Sequence, residues 1–334
     1  MGDIRCAAAS ILVVLLAVGV GAGVLPGAAW QRVDPSDDST AARRHENSLA
    51  AVGRDLILMG GRGMKPTDTF DTTTRTWRRG ATPPFEVHHF QAVTYEDEVW
   101  VVGAFTGGFP GETGVDRVLI YSPAEDAWRD GPIIPEDRRR GAAGAVLVDG
   151  MIYVAGGATD GHRGGHTAWL DRLDPATGQW TRLADAPRTR DHISIAHIDG
   201  KIIMAGGRNS RFGQPGVSGF ADTIEETDVY DIATDTWTTL EDAPIPTPRA
   251  GAMAAAMDGR VYIIGGESGS QSSAHAETEA LDVAAERWFV GPDLVQTRHG
   301  TSAVVMNNAI WVSGGAGNRG GGPELADVEC MASP

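Results

Sequence analysis

Short apolar runs, each broken by a turn signal, follow one another along most of this chain. Residues 249–291 show the unit most clearly. Residues 249–257 (RAGAMAAAM) form a run of small apolar residues, and Asp258-Gly259 is a hairpin turn. Residues 260–266 (RVYIIGG) are β-branched and aromatic, and a loop rich in Ser, Gly and His follows. Residues 278–283 (TEALDV), a turn at 284–286 and residues 287–291 (RWFVG) complete the unit. The pattern predicts four short strands and no helix.

The unit repeats. Its second run ends in a glycine pair at Gly60-Gly61, Gly156-Gly157, Gly206-Gly207, Gly265-Gly266 and Gly314-Gly315, with Gly103-Ala104 in the remaining slot. A tryptophan follows five of the six slots: Trp77, Trp128, Trp180, Trp237 and Trp288. The period of about 50 residues belongs to solenoids and propellers. The glycines suit close backbone approach, and the tryptophans suit wedges between neighbouring units. Both are expected to be scaffold.

Glycine pair, aromatic and tryptophan at these spacings resemble the kelch repeat, from about residue 30 to the C-terminus. The resemblance implies an all-β, six-bladed β-propeller of four-stranded blades around a central channel. The sixth repeat stops after its third strand, at residues 326–334 (ADVECMASP). Residues 30–35 (WQRVDP) match the fourth strands of other repeats, so Trp30 is expected to supply the missing tryptophan. The N-terminal strand would pair into the C-terminal blade and close the ring, removing open sheet edges. Residues 30–334 are thus expected to form one domain.

Residues 1–29 stand apart. An apolar run at residues 6–25 followed by small residues reads as a secretory signal peptide, with a membrane anchor over residues 7–25 as the alternative. The protein is therefore expected to be exported, to the periplasm or the extracellular space. Cys330 is expected to pack as a small buried apolar group in the last strand. A net charge of -16 argues against nucleic-acid partners and against binding to anionic membranes other than through an uncleaved N-terminal segment.

In a four-stranded meander, the loops after the glycine pairs all lie at one end of the ring. They are long here, which places function at that mouth of the channel. Sixteen residues before each pair stand Arg44, Val87, Arg140, Arg190, Arg249 and Arg298, followed closely by His45, His88, His89, His192 and His299. Two roles fit these arginines. They could bond loop carbonyls of the next blade, or converge on an anionic ligand through bidentate donors. Arg44, Arg140, Arg190, Arg249, Arg298, His299 and Arg163 are the expected ligand contacts. Arg208 and Arg211, off the repeated position and beside Phe212, Phe220 and Asp222, are expected to be functional. His162 and His166 lack a carboxylate at ligand spacing, so no metal site is expected, and no cofactor motif is present.

Three functions are compatible. The first is a binding module for a carbohydrate or an anionic sugar. The second is an enzyme similar to the periplasmic sialic-acid mutarotases, also six-bladed kelch propellers that place arginine and carboxylate groups at the loop face. That resemblance would give catalytic roles to Arg208 or Arg211 with Glu267 or Asp222, through general acid–base chemistry. The third is a scaffold for a protein partner. The copper radical chemistry of galactose oxidase, another kelch protein, is disfavoured by the positions of the five tyrosines, Tyr95, Tyr121, Tyr153, Tyr230 and Tyr262.

Overall fold

The computed structural model describes residues 23–25, 27–215, 218–220 and 222–333. Six four-stranded antiparallel sheets follow in chain order, as the repeats predict. Blade one is Asn47–Val52, Asp55–Gly60, Asp68–Asp71 and Thr76–Arg79. Blade five is Met253–Met257, Arg260–Ile264, Thr278–Asp282 and Arg287–Val290. A single 3-10 turn, Glu136–Arg138, is the only helical element among the described residues.

The first strand of every blade lines the channel. Ala50, Ala92, Ala145, Ala196, Ala254 and Ala303 surround a cavity of about 380 Å³ at the end remote from the long loops. Small side chains let six backbones converge there. Between the blades, four indoles reach back to the preceding blade. Nε1 of Trp128 donates to the Ala81 carbonyl (3.2 Å), Trp180 to Ile133 (3.0 Å), Trp237 to Ala184 (2.8 Å) and Trp288 to Ala243 (3.0 Å). The wedge is therefore also a donor, which satisfies the one polar atom that a buried tryptophan carries.

Blade six is completed from both ends of the propeller. Ala303–Met306, Ala309–Ser313 and Val328–Ala332 form three of its strands, and Val328–Ala332 pairs with Trp30–Arg32 in the register Trp30–Met331, Gln31–Cys330 and Arg32–Glu329. Trp30 is buried, and its Nε1 donates to Thr278 Oγ1 of blade five at 2.9 Å. Cys330 is buried in the same sheet. A further short strand, Gly23–Val24, runs parallel to Phe289–Val290 on the outer edge of blade five. The chain thus touches the ring before residue 30. The apolar run expected to direct export lies largely outside the described residues.

The glycine pairs tie neighbouring blades together. Gly266 N–H donates to the Arg298 carbonyl of the next blade (2.9 Å), and Gly207 N–H to that of Arg249 (2.9 Å). Gly265 has φ +59°, and a Cβ there would stand 2.4 Å from the Arg298 carbonyl oxygen. Left-handed backbone and collision act together, so Gly265→Val is expected to abolish most soluble, folded protein. Circular dichroism and the melting temperature of any recovered fraction check this; a normally folded variant would show that the blades do not meet as described.

Candidate functional site

The repeated arginines are buried within their own blades. Arg140 donates from Nε to the Gly156 carbonyl (2.7 Å), from Nη2 to Val154 (2.9 Å) and from Nη1 to Asp171 (2.8 Å). Arg249 does the same with Ile263 (2.9 Å) and Glu279 (2.5 Å), and Arg298 with Gly314 (2.8 Å), Asp327 (2.7 Å) and Glu329 (2.5 Å). Arg44 pairs with Asp68 and Arg190 with Asp228. Burial pulls the Arg44 and Arg190 guanidinium groups down to about 10, against the opposing pull of those carboxylates. Both remain charged at neutral pH. This corrects the expectation that Arg44, Arg140, Arg190, Arg249 and Arg298 face a ligand. Each instead fastens the glycine pair and third strand of its own blade, while the backbone carbonyls of Arg44, Arg190, Arg249 and Arg298 accept from the preceding blade's glycine.

The channel mouth is formed two residues further on. Glu46, His89, Ala142, His192, Gly251 and Gly300 occupy the equivalent place in the six repeats, all with φ between 51° and 67°. Backbone bonds run between them from blade to blade: His89 N–H to Glu46 (2.9 Å), Ala142 to His89 (2.8 Å), Gly251 to His192 (2.8 Å) and Gly300 to Gly251 (3.0 Å). The tight turn brings Glu46, His89 and His192 to the channel, where the other three repeats present only Ala or Gly.

Above this girdle the long loops enclose a cavity of about 340 Å³. Phe109, Phe212 and Phe220 form one wall, with ring centroids 5.2 Å and 4.9 Å apart. Arg208 lies over Phe212 and Phe220, at 5.5 Å and 5.4 Å from their centroids. Its guanidinium is almost wholly buried and already occupied, by Glu267 and by Ser210 Oγ (2.9 Å). Arg62, also lining the cavity, pairs with Glu112. Burial alone would raise the Glu267 carboxyl, but His299, Arg208 and the Gly320 N–H bring it down to about 2. Burial likewise opposes ionisation of Glu112, yet His162 and Arg62 hold its carboxyl below the usual range.

The predicted residues divide accordingly. Arg208 and Glu267 meet at the cavity as a buried pair. Arg211 and Asp222 form a half-exposed pair, 3.3 Å apart, and Arg163 is an exposed side chain over Gly111. His299 is buried, with Nε2 bonded to the Asn318 (2.9 Å) and Gly320 (2.6 Å) carbonyls, 3.6 Å from Glu267. His166 turns from the cavity to Asp191 (2.8 Å). Sequence reasoning set Phe212 and Phe220 beside Arg208 but missed Phe109, which completes the wall, and the carboxylates Glu46 and Glu112. It also missed the proximity of His89, His162 and His192, whose ring nitrogens lie within 4.8 Å of one another. The available signal was the place two residues after the arginine, where histidine or glutamate replaces a small residue.

Six four-stranded blades, a glycine-pair lattice and a loop-built mouth define a propeller of the kelch type. The chain belongs to the kelch-repeat family: residues 131–315 match the model described as the KLHDC2/KLHL20/DRC7 Kelch-repeats domain. It is 27% identical to the Kelch-like protein terF of Aspergillus terreus over 81% of this chain and 61% of that protein. It is 29% identical to alpha-scruin of Limulus polyphemus over 60% of this chain and 21% of that protein. The chain therefore spans less than two-thirds of the length of either relative. The solved structure of YjhT superposes with a TM-score of 0.72 at 16% identity, covering 86% of this chain and 94% of that one, a likeness of fold.

Proposed function

We propose that this chain is an exported propeller that binds a carbohydrate in the mouth cavity, and that the ligand is neutral or only weakly acidic. The observation that carries this reading is the pairing of charge beside an apolar wall. Arg208 and Arg62 already hold Glu267 and Glu112, so a ligand carboxylate would have to compete with an existing buried ion pair. A hydroxyl both donates and accepts and can join such a pair without breaking it. The apolar face of a sugar ring fits against Phe212 and Phe220. Export rests on the apolar run at residues 6–25. A mutarotase reading gains little from Glu267, since a carboxyl held to about 2 is a poor proton donor near neutrality. A protein partner at the same rim is the second reading, favoured by the 54% exposure of Phe109.

Calorimetric titration with a panel of neutral sugars and sugar acids tests the proposal. Neutral sugars should bind, and Phe212→Ala should weaken that binding about ten- to hundredfold, the loss of about 1.5–3 kcal/mol of apolar contact. Arg211→Ala should leave it unchanged. Selective binding of sugar acids, or an unaffected Phe212→Ala variant, would defeat this reading.

A further inference from the structure

We propose that His89, His162 and His192 form a binding site for one divalent first-row transition-metal ion, with Zn²⁺ as the reference case. The three come from blades two, three and four and are all buried. Among the described residues they are the one group of three such side chains close enough to share an ion. Nε2 of His162 and Nε2 of His192 stand 3.0 Å apart. That is about the separation of two nitrogens each ~2.0–2.1 Å from one zinc ion. The third nitrogen, on His89, lies within 4.8 Å of the other two, and a movement of its ring would complete the set.

The surroundings fix the nitrogens as a metal requires. His192 Nδ1 is bonded to Asp191, a carboxylate itself held by the Ser210 N–H (2.9 Å), Ser210 Oγ (2.6 Å) and His166 Nδ1 (2.8 Å). A carboxylate only accepts, so the proton sits on Nδ1 and the lone pair on Nε2 faces His162. His88 Nε2 lies 3.0 Å from the Gly107 carbonyl, which also only accepts. In neutral His88 that leaves Nδ1 as an acceptor, 2.6 Å from His89 Nδ1. His89 then donates from Nδ1 and keeps a lone pair on Nε2, which is buried without an in-line hydrogen-bond donor. Glu46 Oε2 stands 3.1 Å from that nitrogen, a second acceptor rather than a donor. His162 Nδ1 lies 3.0 Å from Glu112 Oε1, off the line of a hydrogen bond. Lone pairs and carboxylates thus converge with too few protons between them, and a cation resolves the conflict. Histidines oriented by carboxylates and neighbouring acceptors are the usual supporting shell of a metal site. Neutral imidazoles select zinc, copper, iron or nickel over magnesium or calcium. Because His162 lines the mouth cavity while His89 and His192 line the channel, the ion would stand between the two.

The competing arrangement is an extra proton shared between His162 and His192. Titration of the chelator-stripped, tag-free full chain with Zn²⁺, and separately with Co²⁺, distinguishes them. One Zn²⁺ should bind per chain and raise the melting temperature, and Co²⁺ should give the visible absorption of a nitrogen-ligated ion. His162→Gln and His192→Gln should abolish stoichiometric binding, and Asp191→Asn should weaken it about 10- to 100-fold. His197→Gln, on the inner strand of blade four, should bind as the unmodified chain does. Absence of saturable Zn²⁺ binding by the unmodified chain overturns the proposal whatever the variants do. So does undiminished binding by folded His162→Gln and His192→Gln.

Discussion

Trp30→Ala is expected to lower the stability of the whole propeller by about 3–5 kcal/mol, the usual cost of removing a large buried aromatic. The indole packs with Met253, Tyr262, Leu294 and Met331, so it joins blade five to blade six. Its loss leaves a cavity at that seam and strands the Thr278 hydroxyl. The strand it anchors has only three residues, Trp30–Arg32, paired along one edge with Val328–Ala332. Blade six would then expose an unpaired edge at Val328–Ala332, and aggregation on heating should accompany the loss. Urea unfolding followed by intrinsic fluorescence and circular dichroism reads the effect. An unchanged midpoint would mean that the ring is not closed through this strand.

Arg249→Met is expected to cost about 3–5 kcal/mol as well, because it leaves the Glu279 carboxylate buried without its partner. Both groups are inaccessible, and the guanidinium also satisfies the carbonyls of Thr247, Ile263 and Glu277. The decisive comparison is the double variant Arg249→Met/Glu279→Met. Removing both charges should restore part of the lost stability, since desolvation of an ion pair offsets much of its attraction. The non-additivity measures the coupling directly. If Arg249→Met melted like the unmodified chain but lost ligand binding, the arginine would belong to the mouth rather than to the blade.

The fold was legible because its determinants are local and periodic. A glycine pair and a tryptophan recur in five of the six repeats each, and counting five tryptophans against six glycine slots sufficed to assign Trp30 to blade six. The arginines were legible as a repeated position but not as a role. Their partners Asp171, Glu279 and Glu329 stand 31, 30 and 31 residues on, but Asp68 and Asp228 stand 24 and 38 on, so the spacing is uneven across the repeats. The mouth was harder still. Phe109, His162, Arg208 and Glu267 come from four separate loops, and their proximity is a product of ring geometry. Arg211 and Asp222 show the converse: adjacent in one loop, they pair with each other and stay at the surface.

Because residue 30 is paired opposite residue 331, the last sheet cannot be assembled until the chain has been synthesised past residue 331. The first strand of the ring to emerge is the last to find its partner. The four meander strands of blades one to five each come from contiguous sequence, while the Trp30 strand has its edge partner only in Val328–Ala332. A ribosome-stalled chain that lacks Val328–Ala332 would hold a ring with an open seam, vulnerable to proteases at its leading end.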